Sequence, residues 1–176
     1  MSIDYAVERF NMVLTFTIDA EIDSKIFWIA FQALVNRDDA LRTVIEVIDG
    51  VPRQLVVPRL PYSMEFIDLS ATPDAERVYR NWIEQREVRR LDLSVCSLDS
   101  VLIKMTSGRF KWYFNQHNFL NDAWSTASSI GRWPIFTRSP ASGACTKPHG
   151  LDPYQAYVEY KRQFRQNDSY RQTQTY

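Results

Sequence analysis

The alternation of apolar and polar residues in "FNMVLTFTID", Phe10 to Asp19, places Met12, Leu14, Phe16 and Ile18 on one side of an extended chain. That period predicts a half-buried strand. The period then changes. Phe27, Ala30, Phe31 and Leu34 recur at helical spacing, so "SKIFWIAFQALVNR" predicts an amphipathic helix with Asp23 placed to cap its N-terminus. "LRTVIEVIDGVPRQLVV" returns to the β period as two runs around Asp49-Gly50, a dipeptide that accepts the positive φ angles of a tight hairpin. "YSMEFIDLS" predicts a short strand. "DAERVYRNWIEQREVRR" predicts a second helix, with Val78, Trp82 and Ile83 facing inward and its charges on a solvated face. "SVLIKM" and "FKWYFNQ" flank Thr106-Ser107-Gly108-Arg109 and predict a second antiparallel hairpin. Phe110, Trp112 and Phe114 point one way; Lys111, Tyr113 and Asn115 point the other. The second strand of this hairpin delivers the chain into His117.

A further helix is expected to begin after Trp124, but the pattern then fails. "SIGRWPIFTRSPASGACTKPHG" mixes Gly, Pro and Ser with Trp, Ile and Phe and holds no period. Periodicity returns at "DPYQAYVEYKRQFRQ", a predicted helix with Pro153 in its first turn. Its Tyr154, Tyr157 and Tyr160 read as packing residues.

At 176 residues the chain is long enough for one domain with a core, and 45% hydrophobic against 24% charged is an ordinary globular balance. An aromatic content of 14% calls for several large buried side chains or a lined groove. With 21 basic and 21 acidic residues, no net field draws the chain to nucleic acid or to an anionic membrane, and neither is expected as a partner. Two cysteines, Cys96 and Cys145, build neither a disulfide framework nor a metal cluster, so no metal and a reducing cytoplasm are expected. No apolar run approaches transmembrane length, and "MSIDYAVERF" lacks the apolar core of a signal peptide. Cys96 has no evident base beside it and is not expected to act as a nucleophile.

The candidate chemistry lies in "YFNQHNFLNDAWST", Tyr113 to Thr126, which holds one of only two histidines. A loop at a strand end, held by a sheet, is a common place for catalytic groups. A lone histidine there is more often a hydrogen-bonded structural residue, and Asp122 has the chemistry of an N-cap for the helix that follows. His149 falls in the aperiodic stretch and reads as incidental.

In order and spacing these segments resemble the N-terminal lobe of a condensation domain of nonribosomal peptide synthetases, in the chloramphenicol-acetyltransferase-like superfamily. "LVNRDDALRTVIEVIDGVPRQLV" is similar to the family's "RHExLRTxF" segment and hairpin, "HNFLNDAWS" to its "HHxxxDGWS", and "PYQAYVEYKRQF" to its "PYxDYxxWxxxxL" type of segment. The resemblance implies an α+β fold: one lobe of a chloramphenicol-acetyltransferase-like α/β sandwich, a mixed or antiparallel sheet covered by helices. In the family an acyl group arrives as a thioester on the phosphopantetheine arm of a carrier protein, and an acceptor amine attacks it to form an amide bond. No tightly bound cofactor is implied. The implied partners are a peptidyl or aminoacyl carrier protein, or a complementary lobe.

Carried over by position, His117 matches the motif's first, structural histidine and Asn118 the second, which serves the chemistry. Asp122 matches the aspartate, Ala123 the glycine, and Arg42 in "ALRT" is the expected salt-bridge partner of Asp122. The departure at Asn118 matters most. A carboxamide donates and accepts hydrogen bonds but has no basic lone pair at neutral pH, whereas an imidazole with a pKa near ~6.5 takes up and returns a proton there. Ala123 adds a methyl where glycine permits close backbone approach. Asp38 and Asp39 replace the family's His-Glu, with no consequence visible in the sequence. The resemblance also implies roughly one of two lobes, a chain starting after the family's opening helix, and an apolar face meant for the other lobe.

The aperiodic stretch departs from the family's long helix, since Pro134, Pro140 and Gly143 would break it. Codons compatible with Ser129 to Arg138, read one base earlier, give Tyr-Arg-Ala-Leu-Ala-Asp-Phe-Tyr-Ala, an apolar-periodic helical pattern. The same shift over Gly143 to Pro148 permits Arg-Gly-Leu-His-Glu-Ala. The third bases are chosen for this reading, so it establishes compatibility. Paired frameshifts, in the gene or its sequencing, are favoured over a novel loop, and residues 130–149 are expected to be aberrant and poorly packed. The expectation for residues 1–176 as a whole is a single partial condensation domain, inactive or nearly so, or else a non-catalytic interaction module.

Overall fold

The computed structural model describes residues 11–119 and residue 163. The helix expected after Trp124, the segment 130–149 and the helix from Pro153 lie outside the described residues. Within them the chain forms β1 (Asn11–Ile18), α1 (Ser24–Arg37), a 3-10 turn (Ala40–Arg42), β2 (Thr43–Ile48), β3 (Val51–Val56), β4 (Glu65–Asp68), α2 (Ala75–Glu87), β5 (Leu98–Thr106) and β6 (Arg109–His117).

Local chemistry accounts for the boundaries. Asp23 caps α1 as expected, its Oδ1 accepting from the backbone N–H of Lys25 at 2.8 Å and of Ile26 at 3.1 Å. The β2–β3 turn falls at Asp49-Gly50, with φ of 53° and 76°, the doubly positive conformation that the hairpin demands.

Four strands form one mixed sheet in the order β1-β6-β5-β4. β1–β6 and β6–β5 are antiparallel, whereas β4 and β5 are parallel. A parallel pair needs a crossover, and α2 supplies it. The crossover helix covers one face of the sheet while α1 covers the other, so the central strands are buried on both sides. Phe27, Phe31 and Val35 of α1 pack on Leu102, Phe110, Trp112 and Phe114. Tyr79, Trp82 and Ile83 of α2 pack on Val101, Ile103, Met105 and Tyr113. The alternation along β6 is therefore between two cores and not between core and water. Two polar groups within it are paired: the Trp112 indole donates to Ser100 Oγ at 2.9 Å, and the Ser100 amide donates to the Tyr62 hydroxyl at 2.6 Å.

The β2–β3 hairpin stands apart from this sheet, tied to the chain by the Ile45 amide donating to the Leu93 carbonyl at 2.8 Å. Val47, Val51 and Leu55 on it are exposed, Val47 by 66%.

One expectation needs correction. The charges of α2 do not all lie on a solvated face. Arg86 turns inward, donating to both oxygens of Asp99 at 2.6 and 2.8 Å and pairing with Glu65 at 3.0 Å. Its side chain is only 16% exposed. The physical reason lies across the crossover: β5 carries a carboxylate on its α2 face, and a buried carboxylate requires a partner.

Candidate functional site

The end of β6 presents His117 and Asn118 to different environments. His117 sits opposite Asn11 of β1, and its amide donates to the Ser97 carbonyl at 3.0 Å, extending the β5–β6 ladder by one step. Period-two alternation puts Tyr113, Asn115 and His117 on the α2 face. There His117 is only 8% exposed. Its Nδ1 accepts from the Phe119 amide at 3.3 Å, and its ring lies 4.9 Å from that of Phe119. With Nδ1 accepting, the neutral ring carries its proton on Nε2. Asn118 follows in a turn and is exposed. The inward position of the pair thus holds the histidine, and the outward one holds the carboxamide.

Burial holds the His117 pKa below its ordinary 6.5. An imidazole with a depressed folded-state pKa is protonated more readily in the unfolded chain. Its contribution to stability is therefore intact above the unfolded-state pKa and is lost as pH falls toward the lower folded-state value. Thermal unfolding followed from pH 7.5 downward should show the midpoint falling as pH drops below about 6.5. His117→Gln should flatten that part of the profile relative to the parent chain.

Arg42 lies on the 3-10 turn after α1. Its guanidinium pairs with the Asp39 carboxylate, and Nη1 donates to the carbonyls of Val57 and Pro58, the latter at 3.3 Å. Its expected partner Asp122, and Ala123 beside it, lie outside the described residues. Asp38 and Asp39, which show no consequence in the sequence pattern, both have a place here. The Asp38 carboxylate accepts from the Ala40 amide at 3.0 Å and shapes the turn, while Asp39 holds the arginine.

The Arg86–Asp99–Glu65 cluster is not announced by the sequence pattern. Its one legible signal is Asp99, a carboxylate at the start of the strand "LDSVLIKM", two residues before the apolar Val101, Leu102 and Ile103. Tyr113, beside the cluster, has its pKa pushed up to about 12, first by burial and then by the Asp99 charge, against an opposing influence of the Asn115 carboxamide. Cys96 donates to the Leu98 carbonyl at 3.4 Å, and burial raises its pKa, as suits an inert thiol. Among the described residues no group of three or more His, Cys, Asp or Glu is placed to hold a metal, and no helix is long and apolar enough to cross a membrane.

A mixed sheet between two helices, ending in a His-Asn pair at the tip of a buried strand, is the α+β arrangement expected of one lobe of a chloramphenicol-acetyltransferase-like sandwich. The sequence model described as Condensation domain matches residues 3–176, and the chain belongs to that family. It is 33% identical over 111 residues to a linear gramicidin synthase of Brevibacillus parabrevis, covering 61% of this chain and 2% of that protein. It is 24% identical over 178 residues to bacitracin synthase 2 of Bacillus licheniformis, covering 99% of this chain and 6% of that protein. Among solved structures, the starter condensation domain of rhizomide synthetase superposes with a TM-score of 0.79 at 20% identity, covering 93% of this chain and 41% of that one. The first condensation domain of the CDA synthetase gives a TM-score of 0.57 at 20% identity, over 62% of this chain and 30% of that one. The chain spans a small part of the synthetases it matches and less than half of each solved chain.

Proposed function

We propose that this chain is a condensation-type acyl-transfer lobe without its base, inactive or nearly so by itself. The observation that carries the reading is the orientation of the pair at the end of β6. The histidine is turned into the protein, and the exposed position beside it, the one suited to meet a substrate, is Asn118. A carboxamide there retains the ability to orient an acceptor amine or to stabilise an oxyanion. It has no means of removing the amine's proton, so the step that turns a bound amine into a nucleophile is unassisted. The family works with acyl groups on the phosphopantetheine arms of carrier proteins, and a carrier-bound thioester is the donor proposed here. The remainder of the fold, on the same polypeptide or another, would form the opposite wall of the site, and the cytoplasm is the proposed location. A condensation assay with carrier-bound donor and acceptor tests the reading. Turnover by the 176-residue chain near that of a complete domain overturns it.

A second reading, a non-catalytic module that docks a carrier protein or pairs with a complementary lobe, draws on the exposed apolar residues Val47, Val51 and Leu55 of the hairpin and Ile26 and Ile29 of α1. A stable, specific complex formed by the chain without turnover favours it.

Paired frameshifts over residues 130–149 are part of the same proposal. The nucleotide sequence is expected to show, one base out of frame, a helical pattern across this stretch. If no shifted frame encodes one, the stretch is a loop of the protein's own.

A further inference from the structure

His117 has polar neighbours on three sides. Across the β1–β6 ladder stands Asn11, across the β5–β6 ladder stands Ser97, and two residues back on the same face of β6 stands Asn115. Each presents a fully buried polar atom without a protein hydrogen bond: Asn11 Oδ1, Ser97 Oγ, and both Oδ1 and Nδ2 of Asn115. Ser97 and Asn115 are 0% exposed. The Asn115 carboxamide comes close enough to the Tyr113 hydroxyl for hydrogen bonding to it to lower the Tyr113 pKa, but neither of its polar atoms completes a bond of ordinary length and angle. The Asn11 amide nitrogen is engaged, donating to the Arg89 carbonyl at 3.2 Å, which anchors that side chain between β1 and the end of α2. Further along the same face, Asp99 is closed off by its two bonds to Arg86, and the Tyr113 hydroxyl makes one long bond, 3.4 Å, to the Arg86 carbonyl.

Four buried, unpaired polar atoms on the three residues that flank His117 in the sheet depart from the rule that buried donors and acceptors are paired. Their chemistry is mixed: three acceptor oxygens, one of them a hydroxyl that also donates, and one amide donor. A cation would be repelled by the amide N–H, and an anion would meet mostly acceptors. A water molecule, with two donors and two acceptor sites, matches such a set, and buried water typically makes about three bonds to groups of this kind. We infer that Asn11, Ser97 and Asn115 form a binding site for one or more ordered water molecules around His117, on the α2 face of the sheet. The site joins the ends of β1, β5 and β6 beneath the turn that carries Asn118. It therefore fixes the depth at which the motif's first histidine sits, whatever occupies the second position.

The test uses the full chain, with water itself as the probe. Water-selective nuclear Overhauser measurements on labelled protein should show a long-lived contact to the side-chain amide of Asn115. Asn115→Leu, of closely similar shape, should abolish that contact and lower the thermal midpoint, because a bridging network is lost. No long-lived contact in the parent chain, with the midpoint of Asn115→Leu unchanged or raised, would overturn the inference, because removing a dry, unpaired carboxamide relieves its desolvation penalty. Should Asn115→Leu fail to fold, Ser97→Ala reads the same difference with a smaller change. A lowered midpoint supports the water site, and an unchanged or raised one overturns it.

Discussion

Asn118→His, placed in a chain completed by the rest of a condensation domain, should raise the rate of amide-bond formation by roughly 10²–10⁴-fold, the range that general acid–base assistance supplies. The direction follows from the end of β6. Because His117 is buried on the α2 face and Asn118 is exposed, a histidine at position 118 extends outward, to the side where the proposed function puts the acyl and amine groups, and not into the core. The gain should fall mainly on kcat, since asparagine already has the donors and acceptors to hold a bound amine. A pH profile separates recovered proton transfer from mere repositioning. With histidine at 118 the rate should fall off toward acid through the imidazole range near ~6.5, whereas the asparagine parent has no titrating group at that position. A flat profile, or a gain well under tenfold, would overturn the proposal that the missing base at position 118 limits the reaction. Ala123 is the first alternative, and Ala123→Gly combined with Asn118→His measures its share.

The parts of this lobe that are legible in the sequence are those whose cause is local. The Asp23 cap, the Asp49-Gly50 turn and the separate periods of α1 and β1 each rest on neighbours within a few residues, and each appears where expected. Non-local partners are harder to read. "YSMEFIDLS" is legible as a strand, yet nothing in it announces that β4 lies parallel to β5, because that pairing depends on α2 crossing the sheet. The same crossover turns the inward side of α2 toward Tyr79 and Arg86, although helical spacing favours Val78, Trp82 and Ile83. Trp82 and Ile83 do pack on the sheet, and Tyr79, next to Val78, is the buried residue of the helix. In the candidate site, the order of His117 and Asn118 in the motif suggests their roles, but only the β6 register shows which of them faces the interior. The buried polar atoms of Ser97 and Asn115 carry no sequence signal, since both residue types are ordinary near strand ends.

Arg86→Met should cost about 3–5 kcal/mol of folding stability, the range seen when one partner of a buried ion pair is removed. The loss arises mostly from what remains. Asp99 is 11% exposed, lies on a strand covered by α2, and keeps a charge that water reaches poorly. Glu65, at 46% exposed, simply hydrates once released. The attraction is directional as well as Coulombic, since two of the guanidinium nitrogens meet the two Asp99 oxygens, and those bonds together with the neighbouring charges hold the Arg86 pKa above its ordinary value. The thermal midpoint should drop by roughly 6–20 °C for a chain of this length. Arg86→Met with Asp99→Leu should recover most of that loss, because replacing both charges by apolar side chains of similar volume leaves nothing buried and unpaired. The double variant separates two explanations for the single one. If it is as unstable as Arg86→Met alone, the cost lies in the packing of the arginine's aliphatic stem and in its cation–π contact with Trp82, 5.6 Å from the ring centroid, and the stranded carboxylate is not the cause. If it is restored, the ion pair contributes little net stability, and its effect is to fix the crossover helix against β5 in a single register.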